Sequence, residues 1–293
     1  MDVRGRHVSI PEKSAEFTIR HVTGFSYDGV ADSSYNEARM TPPSLARQLV
    51  RDASLIVQPY TELATYRDYF GTIVTTFDLQ EPHRRLQVVA EATVETRSES
   101  LGDTDLPLDI LRSFEMVDRF GEYLASTART TMSIGVFEEL REGVPGHKDV
   151  HATVDAVMAW VRERVAYVRG ATLVSSTAQE VWDQRQGVCQ DLSHVTIALL
   201  RSVGIPARYV SGYLYSKGEA DVGETVVGES HAWVEYFCGD WVGIDPTNGG
   251  RVGLFHVVVA KGREYGDVPP LKGIYHGDPS ISLGVTVEIT RVA

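Results

Sequence analysis

The sequence predicts an α+β protein in which an N-terminal antiparallel β domain precedes a C-terminal half of helices packed on an antiparallel sheet. Two observations carry this prediction: β-rich runs fill the first third of the chain, and helical periodicity then precedes a second series of strands. The length of 293 residues agrees with more than one domain, since single cores tend to divide beyond about 250 residues. We expect a tail over residues 1–14, the β domain over 15–100, an irregular, partly helical connector over 101–148 and the C-terminal core over 149–293.

The N-terminal domain is predicted from strand patterns and from the turns between them. Apolar and polar residues alternate over residues 17–22, and β-rich runs follow at residues 54–57, 72–79 and 86–94. Glycine and proline beside polar residues, as at Asp28-Gly29, mark turns between these runs. This pattern is typical of antiparallel strands.

The C-terminal half begins with a predicted amphipathic helix after Asp149. Apolar side chains recur there at steps of three and four residues, which places them on one face of a helix. The positions concerned are Val150, Val154, Val157, Val161 and Val165.

Two further helices and a group of strands follow. Ser176 is the predicted N-cap of a short helix, and a longer helix should begin at Gly187 or Val188 and end at Gly204. Strand patterns then occur at residues 208–215, 231–238, 241–245 and 254–260.

Composition excludes several classes of function. The formal net charge is −12 and no Lys/Arg run stands out, so neither nucleic acid nor an anionic membrane is an expected partner. No secretory apolar segment follows the N-terminal residues, and no apolar stretch reaches the roughly 18 residues of a membrane span. Two cysteines, Cys189 and Cys238, are too few for a disulfide framework or a Cys-rich zinc site. We therefore expect a cytoplasmic protein without a cofactor; its oligomeric state is not predicted.

Cys189 is the predicted nucleophile. It lies in the first turn of the long helix, where unpaired backbone N–H groups and the helix dipole favour a thiolate over a thiol. Its own N–H could donate to a developing oxyanion, and Gly187 would let a substrate backbone approach the sulfur. The alternative is that Cys189 is a small buried hydrophobic residue, which is the common fate of a single cysteine.

His231 is the predicted base. His194 is closer in sequence, but five residues along a helix correspond to roughly 140° of rotation, so we interpret His194 as structural. His231 begins a strand and shares one face with Trp233 and Glu235. A strand that delivers a histidine to the N-terminus of a packed helix is compatible with a Cys-His pair.

Asp245 is the predicted orienting acid, provided that the hairpin around Gly239 has the right register. A two-residue loop would leave His231 and Asp245 on opposite faces, whereas a three-residue loop over 238–240 would set Asp245 diagonal to His231. The catalytic interpretation predicts the second register. Asp-Pro-Thr-Asn at 245–248 is also a common turn sequence, and Cys238 is expected in the core.

At these residues the chain resembles the transglutaminase-like superfamily, in its bacterial and archaeal form with an N-terminal β domain. The matching core segments are GVCQD at 187–191, RSVGIPARYVSGY at 201–213, HAWVE at 231–235 and DPT at 245–247. The N-terminal half matches at YNEARM (35–40) and DYFG (68–71). The resemblance implies a papain-like core with Cys189 as nucleophile, His231 as base and Asp245 as orienting acid.

The resulting hypothesis is a cysteine-dependent acyl-transfer enzyme that acts on amide bonds of peptides or proteins through a Cys189 thioester. Water as acceptor would make it a protease or amidase, which we favour because water is always present; an amine would make it a transglutaminase. The alternative is a catalytically silent protein-interaction module on the same fold. A metal hydrolase is disfavoured and no metal site is predicted, since the remaining histidines, His256 among them, form no ligand spacing.

Secondary site residues are predicted more weakly. Gln186, Trp233 and Tyr213 are candidates for substrate binding, although aromatic residues in strands more often lie in the core. For the second oxyanion donor, position alone suggests Gln186, Trp182 or Tyr167.

Overall fold

The computed structural model describes residues 14–98, 106–144, 149–217, 222–228 and 230–293. The α+β class is confirmed: antiparallel sheets dominate, and helices pack against the smaller of two large sheets. Apart from Ser14, the predicted tail lies outside the described residues, as do residues 99–100 of the predicted β domain and residues 101–105 and 145–148 of the predicted connector.

The described strands are β1 (Ser14–Ala38), β2 (Gln48–Gln58), β3 (Ala64–Arg67), β4 (Ile73–Leu79), β5 (His83–Arg97), β6 (Ala166–Tyr167), β7 (Gln186–Gly187), β8 (Ala207–Leu214), β9 (Thr225–Gly228), β10 (His231–Phe237), β11 (Trp241–Ile244), β12 (His256–Gly262), β13 (Leu271–Gly277) and β14 (Ser280–Arg291). The helices are α1 (Leu108–Leu111), α2 (Phe114–Leu124), α3 (Ile134–Gly143), α4 (Val150–Arg164), α5 (Ala178–Gln184) and α6 (Cys189–Ser202), with a 3-10 helix at Tyr265–Asp267.

The larger sheet contains strands from both ends of the chain. Its central path is β2-β5-β1-β14-β9, and the second half of the long β1 also pairs with β4 and β13. The predicted division at residue 149 stays a prediction, but strand pairing places residues 271–291 in this sheet and not in the C-terminal core. The reason is that β1 needs partners on both edges, and β14 fills the edge that β5 leaves open.

The smaller sheet has the order β11-β10-β8-β12 and packs one face against α6. Residues 191–201 of α6 are all buried, so this helix is the centre of the C-terminal half. It ends at Gly204, which adopts a φ of +86°, as the sequence predicts. Helices α4 and α5 pack against α6 and cover it further.

The short helix α5 begins one residue later than predicted. Its N-cap is Thr177, whose hydroxyl accepts from the backbone N–H of Glu180, while the Glu180 carboxylate accepts from the N–H of Thr177. The predicted cap, Ser176, instead accepts from the N–H of Leu173 in the preceding turn. Adjacent serine and threonine residues are both good caps, and the reciprocal bond with Glu180 decides between them.

The two halves share a continuous core and a set of polar contacts. Phe17 and Ile19 of β1 belong to the same buried cluster as the C-terminal helices. The Gln48 side chain both donates to the carbonyl of Val258 and accepts from its N–H, each at 2.8 Å, so it acts as a strand partner for the edge of β12. These contacts fix the small sheet against the β domain.

Tyr213 lies in this interface, which corrects its predicted role in substrate binding. Its hydroxyl is 3.0 Å from Nδ1 of His21 and donates to the carbonyl of Met40 at 3.3 Å. Both side chains are buried, and burial lowers the pKa of His21 to about 4. Tyr213 therefore joins the two halves and has no open face for a substrate.

Within the described ranges, no helix combines the length and the apolar character that crossing a membrane requires. The cytoplasmic location stays a prediction.

Candidate active site

Cys189 is the first residue of α6, and a buried carboxylate fixes the turn that precedes it. Asp191 Oδ2 accepts from the backbone N–H of Val188 at 2.8 Å and from the hydroxyl of Thr172 at 2.6 Å. Burial raises the pKa of Asp191, although both hydrogen bonds act in the opposite direction. Cys189 itself is half-buried, and helix geometry leaves the N–H groups of Cys189 and Gln190 without an acceptor in the helix, whereas that of Asp191 donates to the carbonyl of Val188 at 3.0 Å. The thiol therefore lies beside donors available to a bound oxyanion.

Close packing explains why residue 187 is a glycine, and the sequence alone did not reveal this packing. A Cβ at this position would lie 2.7 Å from Cβ of Asp191 and 3.1 Å from Cγ1 of Val181. The glycine therefore lets β7 pack directly over the start of α6. The predicted role, room for a substrate backbone, is not what this position provides.

The β10–β11 hairpin has the register that the triad interpretation predicts. Phe237 pairs with Trp241, which leaves the three-residue loop 238–240, and Gly239 adopts a positive φ of 114°. Nε2 of His231 consequently lies 2.7 Å from Oδ2 of Asp245. Both side chains are largely buried, so water does not compete for this hydrogen bond.

The Asp245 carboxylate collects donors from three parts of the chain. Oδ1 accepts from the N–H groups of Thr247 and Asn248, and Oδ2 accepts from the Asn248 amide at 2.7 Å. Oδ2 also lies 3.3 Å from Nε2 of His256 on β12. Burial alone would raise the pKa of Asp245, but bonds from His231, His256 and Asn248 hold it well below its usual range. The carboxylate is thus a permanent anion.

This arrangement favours the protonated form of His231. Burial by itself would lower its pKa, but hydrogen bonds with Asp245 and with Cys189 outweigh that effect and raise the pKa from 6.5 to about 9. Because Nε2 faces Asp245, Nδ1 is the nitrogen that faces the Cys189 thiol. At neutral pH the ring is therefore an imidazolium placed between a thiol and a carboxylate.

His194 lies apart from this network. It is fully buried, and its Nε2 accepts from the backbone N–H of Tyr265 at 3.1 Å. Burial lowers the pKa of His194 to about 3, so the ring is neutral. Its position agrees with its interpretation as a structural residue.

The weaker site predictions fare differently. Trp233 is completely buried and packs its ring against His231 and His256, so it supports the histidines and cannot line a substrate groove. Trp182, one of the oxyanion candidates, stacks on Trp160 at a centroid distance of 4.7 Å in the core. Both predictions are corrected by burial.

Gln186 and Tyr167 lie close to the start of α6. Gln186 is half-buried on β7, in parallel pairing with β6, to which the exposed Tyr167 belongs. The role of Gln186 in substrate binding and the second oxyanion donor both stay predictions.

His256 is a site residue that sequence reasoning missed. It is eleven positions beyond Asp245 and belongs to no motif that joins it to Cys189 or His231. The strand order brings it there, since β12 lies beside β8, which in turn pairs with β10. Only the sheet topology could have revealed it.

In the described part of the chain, one group of side chains has a spacing compatible with a metal ion. Potential ligand atoms of His231, Asp245 and His256 lie within 4.8 Å of one another. However, Nδ1 of His256 accepts from the N–H of Gly253 at 3.3 Å, which leaves the proton on Nε2. A protonated Nε2 cannot coordinate a cation, so we interpret the group as a hydrogen-bond network.

Comparison with known proteins agrees with this geometry. Residues 138–246 match the family model of the transglutaminase-like superfamily, and residues 17–95 match that of the bacterial transglutaminase-like N-terminal region. The first match includes Cys189, His231 and Asp245.

A relative and a solved structure extend the match over more than nine-tenths of the chain. An uncharacterized protein of Mycobacterium leprae is 43% identical over 273 residues, which cover 93% of this chain and 98% of that protein. A candidate cysteine protease from Cytophaga hutchinsonii shares the fold with a TM-score of 0.75 at 23% identity, over 96% of this chain and 92% of that one. A protein-glutamine gamma-glutamyltransferase of Pseudomonas aeruginosa is 32% identical over 119 residues, 38% of this chain and 17% of that protein. On these grounds the chain belongs to the transglutaminase-like superfamily.

Proposed function

We propose that this protein is a cysteine-dependent acyl-transfer enzyme that acts on amide bonds of peptides or proteins. The observation that carries the proposal is the placement of His231 2.7 Å from the Asp245 carboxylate, with its pKa raised by both Asp245 and Cys189 and with the cysteine at a helix N-terminus. A silent interaction module has no chemical need for a buried, protonated histidine beside a half-exposed thiol. The catalytic alternative is therefore the better supported one.

The first half of the reaction follows from this arrangement. With its proton already on His231, the Cys189 thiolate attacks the amide carbon, and a C–S bond forms while the carbonyl oxygen takes up negative charge near the N–H groups at the start of α6. The C–N bond then breaks, and the leaving nitrogen takes the proton from the His231 imidazolium. A thioester and a free amine result.

The second half depends on the acceptor. Neutral His231 removes a proton from water, the oxygen attacks the thioester, and the C–S bond breaks to release a carboxylic acid and the thiolate. A primary amine in place of water gives a new amide. We propose water as the ordinary acceptor because it is always present, and the experiment below separates the two outcomes.

A peptide or protein substrate is supported by the surface beside Cys189. The segment over residues 167–174 is tied to α6 by the Thr172–Asp191 bond and by a bond from the Gln190 amide to the carbonyl of Val174. Four apolar side chains of this segment are exposed, and Leu173 has the largest exposed fraction, 74%. An apolar surface held beside a nucleophile suits the side chains that flank a reacting amide. The exposed residues are Tyr167, Val168, Leu173 and Val174.

The first test is selective alkylation of the thiol. The protein is treated with limiting iodoacetamide from pH 4 to pH 9, and adducts are mapped by mass spectrometry. We expect modification of Cys189 well below pH 8, while the buried Cys238 provides an internal control. Equal behaviour of the two cysteines would contradict an activated nucleophile.

The second test identifies the acceptor. A library of glutamine-containing peptides is incubated in H₂¹⁸O with and without a primary amine, using Cys189→Ala as the control. Incorporation of ¹⁸O into a product indicates hydrolysis, and a new amide with the probe indicates transamidation. If alkylation is selective but every peptide is unchanged, the proposed substrate class is wrong.

A further inference from the structure

We propose that His256 is a positioning residue of this site, which donates a hydrogen bond to Asp245 and thereby limits how strongly that carboxylate holds the proton of His231. This inference rests on the proposed function, because it assigns a consequence to the acid–base role of His231. It concerns a histidine that neither the sequence motifs nor the family match identifies.

The geometry places both histidines on one oxygen. Nε2 of His231 is 2.7 Å and Nε2 of His256 is 3.3 Å from Oδ2 of Asp245. The His256 side chain is 11% exposed and that of Asp245 is 3% exposed, so both contacts are shielded from bulk water. The two rings therefore compete for the lone pairs of this oxygen, which also accepts from the Asn248 amide at 2.7 Å.

The tautomer of His256 follows from its second contact. The backbone N–H of Gly253 points at Nδ1 of His256 at 3.3 Å, and a backbone N–H can only donate. Nδ1 is thus unprotonated, and the ring proton lies on Nε2, which faces Asp245. His256 is a neutral donor to the carboxylate, whereas His231 donates to it as an imidazolium.

The fold holds His256 in this position through a glycine and a tryptophan. Gly212 of β8 lies between the strands that carry the two histidines, and it pairs with His231 on one side and with Val258 on the other. A Cβ on Gly212 would lie 2.4 Å from Cη2 of Trp233, so the indole occupies the space above it. Trp233 then contacts the His256 ring edge-on at a centroid distance of 5.3 Å. The His256 ring is consequently fixed by packing as well as by hydrogen bonds.

The surrounding charges determine what else could influence His231. Cys189 of α6 and Asp245 after β11 contact it directly, and the His256 ring is 6.2 Å away between centroids. His256 also lines a cavity of about 410 Å³ that lies between the small sheet and the β domain. The charged residues that line this cavity are Arg47, Arg97, Arg208, Glu235, Asp240, Arg251 and Lys261.

Competition at Oδ2 has a consequence for proton transfer. A carboxylate oxygen that also accepts from His256 offers less negative charge to His231, so the imidazolium is a stronger acid than it would be beside an unshared carboxylate. During acylation, that proton moves from Nδ1 of His231 to the leaving nitrogen while the C–N bond breaks. A weaker hold by Asp245 favours this transfer.

Two substitutions separate the hydrogen bond to Asp245 from the rest of the contact. In His256→Asn, the side-chain oxygen can still accept from Gly253, but the amide is too short to reach Asp245. In His256→Gln, the longer side chain places its NH₂ group near the original Nε2. The Gln variant therefore keeps the donor that the Asn variant removes.

The decisive measurement is the pH at which the His231 ring titrates, followed by ¹H–¹⁵N NMR in the full-length protein. We expect His256→Asn to raise this pH by about half a unit or more, and His256→Gln to leave it close to wild type. Acylation by a reactive amide or ester should slow roughly threefold to tenfold in the Asn variant and recover in the Gln variant.

A purely structural role predicts a different result. If His256 only supports the fold, its loss loosens the Asp245–His231 contact and lowers the titration pH of His231. A lowered or unchanged titration pH in folded His256→Asn, as judged by its thermal unfolding, overturns the proposal. Because the titration needs no substrate, its outcome is separate from a failure of the proposed activity.

Discussion

Two buried histidines near the start of α6 differ in every property that matters for chemistry. His231 lies in the network around Asp245, and its pKa rises to about 9. His194 lies on the inner part of α6, and its pKa falls to about 3. Both lose solvent, which by itself favours the neutral ring. The comparison teaches that the carboxylate, and not burial, determines which histidine can donate a proton.

The surroundings of His194 show why it stays neutral. Glu264 raises its pKa, but Arg129 and Arg201 oppose that effect, and burial exceeds all three. Its contact is with a backbone N–H, which requires a lone pair on the ring. His194 therefore stays neutral and has a structural role, whereas His231 holds a proton that it can transfer.

Exchange of each histidine for glutamine should give the largest contrast. We expect His231→Gln to lower acyl-transfer activity roughly 10³-fold, because no other group donates the proton to the leaving nitrogen. The matched variant His194→Gln should reduce the thermal unfolding temperature and keep activity per folded molecule. Activity assays combined with calorimetry measure both effects. Equal loss of activity in the two variants would remove the distinction between the regions.

Asp245→Asn should make the environment of His231 resemble that of His194, because it removes the carboxylate beside the ring. Without the carboxylate, only Cys189 opposes the effect of burial, so the pKa of His231 should fall from its raised value of about 9. We expect activity at pH 7 to fall on the order of 10²-fold, since the imidazolium is less stable and the ring orientation is no longer fixed. NMR titration and initial rates provide the measurement. The exposed Asp183 supplies a control, and Asp183→Asn should change neither quantity.

The free energy of unfolding should decline at alkaline pH because of His231 and at acid pH because of His194, which gives the stability profile an alkaline limb and an acid limb. The raised pKa of His231 stabilises the fold below pH 6.5, and this contribution is lost as pH rises through about 9. The lowered pKa of His194 acts in the other direction: the unfolded ring binds a proton below pH 6.5 and the native ring does not, so stability falls as pH drops from 6.5 towards 3. The contribution is on the order of 3 kcal/mol for His231 and on the order of 5 kcal/mol for His194.

Urea unfolding across this pH range tests both limbs. His231→Gln should flatten the alkaline limb, and His194→Gln should flatten part of the acid limb, to which His21 also contributes. A wild-type profile without an alkaline decline would show that His231 is not protonated in the native state.

Gly212→Ala should produce the smallest of these effects, confined to the His231 region. The new Cβ would lie 2.1 Å from the carbonyl oxygen of Val257, which is backbone and cannot move aside easily. We expect a destabilisation of roughly 1–3 kcal/mol and a weaker contact between Trp233 and the histidines. Gly135 in α3 has nothing within 4 Å of its ideal Cβ, so Gly135→Ala should be neutral or slightly stabilising in the same denaturation assay.

The sequence predicted the elements whose signals are local. The valine stripe of α4 and the apolar face and glycine stop of α6 depend on neighbouring residues only. The three-residue hairpin loop at Gly239 is one of two registers compatible with the local sequence, and the triad interpretation selects it. The convergence of Cys189, His231 and Asp245 followed from the same local signals and from the family resemblance. Those residues lie at the ends of elements, where few geometries are open to them.

The other features of the site depend on pairing between distant strands, which the sequence alone does not reveal. Strand periodicity shows which residues share a face but not what covers that face, so Trp233 and Tyr213 looked like groove residues although both are buried. His256 became visible only when β12 was placed beside β8. For the same reason, residues 271–291 read as part of the core, although their partners lie at the other end of the chain.

The position of β14 also sets the order in which the protein can be completed. Residues 17–27 of β1 are flanked by β5 and by β14, and the ribosome makes β14 only after the entire α6-centred half. Until then, one edge of β1 presents unpaired N–H and C=O groups, the state in which a nascent chain is prone to pair with a neighbour. A fragment that stops near residue 100 keeps this edge open. The β domain is thus first in sequence and last to close during synthesis.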